Sequence, residues 1–587
     1  MAGTTTVGDA GGGNLAVTDA GVLDCGADMV GNQPGSSGTV TVNGAGSTVN
    51  SAGDVTVGNG GTGNLTVING GTVNAGTPTS TGNVNIANSP GSVGSASVDG
   101  AGSSLTSTGN IEVGSGGNGT LSVTNRGRVT DADTIVAAQL GSMGSASVEG
   151  AGSSLTSTGN IEVGSGGNGT LSVTNRGTVT GANGTVGSQP GSSGAVTVNG
   201  SGSQWNNTGT LTVGAGGKGL LDVSDGGDVT AKGRTMVGPN GTVMGDGTIA
   251  TPMLINNGKV TPTGPNGTPG TLTLNGNYTQ NSSGILNIQF ASGSRGLLAV
   301  GGQAFLGGTL RLSLLNEFVP PSAQRFTILT AAAGVNGTFN LVQQPTATVF
   351  TVFYDPKDVQ VEVRQVPFQN FACDPNTRSV LTALQAVRNT ATGDLATVIG
   401  VLNGLPTNDL CAAGAQISPL PVPSLPTMAI NTLDSESSEV DQRIWFFKQP
   451  FNPQHRWDVY VDGSGTFGRI KNIFDLPALD FDTGTTTPGA QYRFSPSLGL
   501  GVYAGYAHSE SRFSDGTHVS TNTPNTGTYG LWNPPFMGPF GVDFGFGAAY
   551  NDYSMKRPIN FGDPIERQAR SNPRSKVFKE KARHQLS

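Results

Sequence analysis

Short apolar triplets recur along the first 240 positions, each ending in valine. They include Leu15–Ala16–Val17, Val40–Thr41–Val42, Leu65–Thr66–Val67, Ala96–Ser97–Val98 and Leu121–Ser122–Val123, and they continue through Val148, Val173, Val198 and Val223. The closing valines lie 25 residues apart, except for a spacing of 31 between Val67 and Val98, where six residues are inserted. A second ladder, Val7, Val30, Val57, Val113, Val163, Val186, Val213 and Val237, is followed by glycine. Two unit types alternate after the triplets, V-x-[ND]-x-G as at Val123–Gly127 and V-[NDE]-G-x-G as at Val198–Gly202. Short β-branched strands parted by Gly/Asn/Asp turns at one fixed period predict stacked coils of a right-handed parallel β-helix over 1–246. Alternation sorts each strand: in Ile111–Glu112–Val113 the outer two residues face a buried column and Glu112 faces solvent. About ten coils at the inter-strand spacing make a rod of roughly 50 Å. The block Gly100–Gly127 recurs unchanged as Gly150–Gly177, a duplication that lengthens the rod.

The period breaks after residue 240. The order from Gly247 to Leu314, G-x-I, G-x-V-x-P, G-T-L-x-L-x-G-x-Y, then L-x-V-x-G-x-A-x-L-x-G-T-L-x-L, resembles the end of the passenger domain of bacterial autotransporters, the type V secretion family. The resemblance implies a β-rich, autochaperone-like cap over 247–365 that assists folding after export. Independently of the family, a solenoid end exposes unpaired strand edges and needs closing. Tyr278, Phe290, Phe305 and Phe326 are the expected closing side chains.

Residues 366–450 read as a helical linker. SVLTALQAV and LATVIGVLNGL form two short helices, ISPLPVPSLP breaks the chain, and a third helix runs from Thr427 to Phe447. Cys373 and Cys411 flank the first two helices. A disulfide between them and a pair of buried thiols are both open. The resemblance implies that Met428 to Arg443 thread the pore of a membrane domain.

From His455 the pattern has period two. Leu498, Leu500, Val502 and Tyr506, then Val542, Phe544, Phe546 and Tyr550, alternate with small or polar residues. This is the dyad pattern of an outer-membrane β-barrel, with the named residues facing lipid. Five strands are expected within 451–587, near 456–468, 486–495, 498–509, 518–532 and 540–553. They are fewer than the family's closed barrel, and the basic tail RQARSNPRSKVFKEKARHQLS reads as unpatterned. With MAGTTTVGDAGGG lacking the features of a signal peptide, this leads to the expectation of a reading frame truncated at both ends. The fold class is therefore all-β: parallel β-helix, β-rich cap, short helical linker and partial antiparallel transmembrane barrel.

Composition narrows the chemistry. Gly fills 94 of 587 positions, charged residues are 12%, and the net charge of −8 argues against nucleic acid. All four histidines, His455, His508, His518 and His584, lie in the last third, so no His-dependent triad is expected in the solenoid. Gly116–Leu121 begins like a calcium nonapeptide but has Leu121 at the ligand position, and no metal or cofactor is expected. Glu112 and Glu162 fall two coils apart, about 10 Å, and read, like Arg126 and Arg176, as solvated. The expected function is a non-enzymatic stalk or adhesin, with contacts on outer turns and inserts such as Thr77–Thr81. A β-helical polysaccharide-active enzyme and a non-functional fragment are the alternatives. The resemblance implies the outer membrane and barrel-assembly machinery as partners and the cell surface as location; the surface or host ligand is unspecified.

Overall fold

The computed structural model describes residues 3–315, 318–418, 440–471, 478–537, 540–560 and 567–586. The Pro-rich break at 419–426 and the expected helix before residue 440 lie outside the described residues. The chain divides into two compact units, one of residues 1–366 and 389–404, the other of 367–388 and 405–587.

The first unit is a parallel β-solenoid of about 12 turns. Each repeat coil supplies three strands, for example Ser104–Ser107, Ile111–Val113 and Asn118–Thr124. Val17, Val42, Val67, Val98, Val123, Val148, Val173, Val198 and Val223 are direct partners from coil to coil. The second ladder also forms, and Ile86 and Val136 complete it. These two break the sequence signature because Ala87 and Ala137 replace glycine after them, and both adopt the left-handed backbone (φ 58° each). A third face has its own column, Leu105, Val129, Leu155, Val179, Trp205, Val229 and Ile249.

The strand triplets begin with an inward glycine, as at Gly119 in Asn118–Thr124. A Cβ there would lie 2.0 Å from the Gly114 backbone nitrogen, so only glycine lets two faces meet at that corner. The six inserted residues form a small antiparallel lip, Ser80–Thr81 on Thr72–Thr77, and coil register resumes at Val84 opposite Val55.

Parallel coils continue past residue 246, with Val243 on Val260 and Leu310 on Val342. One hydrophobic core runs from Val7 to Val363. Closure comes later: Asp358–Gln365 pairs antiparallel with both Arg325–Ala331 and Thr348–Tyr354. Phe290 is fully buried and meets Phe326 and Phe350 at centroid distances of 5.3 and 5.0 Å. Tyr278 is buried too, and its hydroxyl accepts from Asn256 Nδ2 at 3.1 Å. Phe305 differs from expectation: it occupies an outward position and is 39% exposed.

Before the Pro-rich break the linker holds three helices where two were expected: α1 (Pro375–Val387), α2 (Asp394–Gly404) and α3 (Thr407–Ile417). Asp374 caps α1 by accepting from the Thr377 amide at 2.9 Å, with Pro375 in the first turn. The sequence of α3, TNDLCAAGAQI, has a polar start and an internal Gly414, features shared with loops. That glycine is a packing device: a Cβ on it would lie 2.6 Å from Thr377 Cγ2 of α1. α2 belongs to the solenoid unit, where Asn403 Oδ1 accepts from the Thr348 hydroxyl at 3.3 Å.

Candidate membrane face and helix seat

In the second unit an antiparallel sheet runs through Trp457–Ile470, Leu479–Ser495, Leu498–Phe513, His518–Trp532 and Phe540–Ile559. Two further strands, Arg567–Ser571 and Arg574–Leu586, pair with successive parts of the Phe540–Ile559 strand. The tail expected to lie outside the barrel is thus strand. Its polar residues give no hydrophobic alternation, so pairing with a long neighbour, not pattern, carries it into the sheet.

Period two sorts the two faces. Leu500, Val502, Tyr506 and Phe546 are 39%, 56%, 49% and 46% exposed, while Gly499, Gly501, Tyr503 and Ala507 between them are buried. Leu498, Val542, Phe544 and Tyr550 share the outward face and are half-exposed. From Leu500 to Tyr506 that face carries no charge; beyond it come His508, Glu510 and Arg512. Trp457, Tyr492 and Phe494 cluster at the opposite end of the outer face, with centroids 4.7 Å apart in each neighbouring pair.

The inner face seats a helix. Residues 440–447 are helical, and Val440, Ile444 and Phe447 pack on Tyr460, Tyr503, Tyr529 and Leu531. Glycine makes the room: a Cβ on Gly499 would lie 2.2 Å from Phe447 Cδ1, and one on Gly489 would lie 2.4 Å from the Tyr460 ring. The Tyr529 hydroxyl lies 2.9 Å from that of Tyr460 and 2.8 Å from Gln491 Oε1. Charges fix the seat at two points, within the helical stretch and just after it. Arg443 donates to both Asp462 oxygens, with Nε to Oδ2 at 2.6 Å, and stacks 4.1 Å over the Tyr460 ring. Lys448 Nζ reaches Asp543 Oδ2 at 3.1 Å. A tight bidentate pair half-shielded from water holds orientation as well as distance. The described part of the expected pore helix thus lies against the inward face, where large Tyr460, Tyr503, Tyr529 and Leu531 stand among small and polar residues.

Cys373 and Cys411 are joined in a disulfide, Cα to Cα 5.7 Å, which ties the start of α1 to α3. Arg557 of the sheet donates to the carbonyls of Gln416 and Ser418 at the C-terminus of α3, where a helix end favours cations. Cys25 is free and buried in the solenoid. Its Sγ lies 3.2 Å from Asp28 Oδ1, and burial pushes its thiol up to about 12.

On the solenoid, the two acids expected to be solvated are hydrogen-bonded: Glu112 accepts from Ser115 within its own coil, and Glu162 accepts from Ser165 and, one coil on, from Ser188. Asp99 accepts from Thr124 and Asn125 of the next coil, and Glu149 from Asn175. Asparagines do the same: Asn88 donates to Asn59, Asn59 to Asn32, and Asn32 to Asp9. Sequence spacing puts these residues one coil apart, but the hydrogen bonds need the turn geometry. Arg126 and Arg176 stand at turns in the left-handed backbone (φ 75° and 71°).

No curated protein matches the chain. The family model of the autotransporter β-domain matches residues 459–580 and so includes much of the tail. With that β-domain downstream of a parallel β-solenoid, the chain has the two-part make-up of an autotransporter.

Proposed function

We propose that the solenoid is a non-enzymatic stalk or adhesin, presented at the surface by the C-terminal domain. An autotransporter β-domain implies an outer-membrane association. One observation carries the finer reading: many of the solenoid's carboxylates and amides, among them Glu162, Asp99, Glu149 and Asn88, are engaged in hydrogen bonds that bind one coil to the next. Groups so held stiffen a rod and are poorly placed to exchange protons with a substrate. Leu498, Leu500, Val502, Tyr506, Val542, Phe544, Phe546 and Tyr550 are the proposed lipid-facing set, supported by their shared outward face. The domain limits proposed are solenoid and cap to residue 365, linker to 450, and β-domain beyond. Cys373–Cys411 is proposed to persist as a disulfide in the oxidising space outside the inner membrane.

Excision of residues 128–177 joins Gly127 to Thr178 and removes two coils in register, because the flanking blocks are identical. A stalk or adhesin shortened by roughly 10 Å still folds and exports, with altered reach or cell binding. Depolymerisation of a polysaccharide by the intact chain, abolished by one acid-to-amide change on the solenoid, would replace this reading with the enzymatic one.

A further inference from the structure

The outward face of the β-domain has a notch at the edge of its apolar band. Gly465, Gly484 and His508 lie in one row across three strands, as cross-strand partners. The row on one side is Gly463, Thr486, Tyr506, and on the other Phe467, Asp482, Glu510. The glycines leave a groove of about 450 Å³ lined by Gly465, Phe467, Asp482, Gly484, His508 and Glu510. Its floor is backbone: a Cβ on Gly484 would meet nothing within 4 Å. Phe467, 85% exposed, forms one wall. The rim is acidic. Glu510 is shared between His508 Nε2 at 3.1 Å and His518 Nε2 at 2.5 Å, and Asp482 stands beside it, exposed.

We infer that this notch holds one phospholipid with a primary-amine headgroup. The inference rests on the membrane reading of the outer face. An acyl chain lies along the glycine floor beside Phe467 and runs down the uncharged band. The ammonium sits at the rim, where Asp482 and Glu510 offer carboxylate acceptors at the depth where the band turns polar. The carboxylate acceptors select the amine. A choline headgroup of equal charge has no N–H to donate, so the two carboxylates discriminate by hydrogen bonding rather than by charge alone.

The test uses the full chain reconstituted in vesicles of phosphatidylcholine mixed with phosphatidylethanolamine, followed by flotation and native mass spectrometry of the retained lipid. The expected result is a floating chain that retains phosphatidylethanolamine over phosphatidylcholine by about tenfold. Asp482→Asn should remove the preference, and Gly484→Leu, whose side chain fills open space, should remove retention without affecting flotation. A floating chain with no headgroup preference, or a Gly484→Leu chain that retains lipid like the parent, overturns the notch and leaves the membrane reading standing. A chain that does not float overturns both.

Discussion

Asp131→Ser should stabilise the solenoid at neutral pH. Asp131 occupies an inward position whose partner on the next coil is Ser157, and it is 2% exposed. One carboxylate oxygen accepts from Thr134, and the other, Oδ1, has no hydrogen-bond partner among the described residues. Burial pushes this carboxyl up to about 6 from 3.8, although hydrogen bonds from Ser157 and Thr134 pull the other way. A folded-state pKa above the unfolded value means that the native state binds the proton more tightly. The group therefore favours folding fully below about pH 4, and that contribution is lost as pH rises through about 6. A difference of about two pKa units corresponds to about 3 kcal/mol at pH 7. Urea unfolding followed by circular dichroism at pH 7 and pH 4 measures it. Serine, which keeps a hydroxyl for the same neighbours, should raise stability by up to about 3 kcal/mol at pH 7 and by little at pH 4. Equal effects at the two pH values, or a loss at pH 7, would refute the reasoning.

Other perturbations address packing and redox state. Trp205→Ala should cost about 3–5 kcal/mol, because the indole is fully buried in a column otherwise made of Val, Leu and Ile. Gly184→Leu should be as damaging, since its Cβ would lie 2.6 Å from Trp205 Cζ2, and Trp205→Val should partly rescue it in thermal unfolding. Native protein should show no maleimide-reactive thiol: Cys25 is buried with its thiol pushed up to about 12, and the other two cysteines are bridged. Reducing a bridge with a sequence separation of 38 should destabilise the linker by about 4 kcal/mol, read as faster proteolysis of α1 and α3. Gly499→Leu should expel Phe447 from the inner face and expose the 440–447 helix to protease, while leaving the sheet's circular dichroism unchanged.

The solenoid was legible because inward Val and Leu repeat at the coil period, and a fixed period is sufficient to set register. What escaped were substitutions inside the pattern. Ile86 and Val136 lost their marker glycine to left-handed alanines, and Trp205 sits in a third column whose members share no single residue type. Continuation of the coils past residue 246 was hidden because longer strands, such as Thr248–Asn256, replace the short triplets. The outward face of the β-domain was legible as alternation. The helix seat was not, since its content is the space above Gly499 and Gly489, and absence of a side chain reads equally as a turn or a pore lining. Arg567–Ser571 and Arg574–Leu586 carry no apolar face, so only the partner strand reveals them.

The central claim is that the C-terminal sheet lies in a bilayer with its Leu500–Tyr506 face toward lipid and the 440–447 helix on the other. Spin labels placed singly at positions 498 to 507 of the full chain in vesicles test it through collision with oxygen and with a water-soluble nickel chelate. The account predicts a period of two, with positions 500, 502, 504 and 506 oxygen-accessible and 501, 503 and 505 shielded from both reagents by the helix. Equal accessibility along the strand, or greater nickel access at 500 and 502 than at 501 and 503, would contradict it.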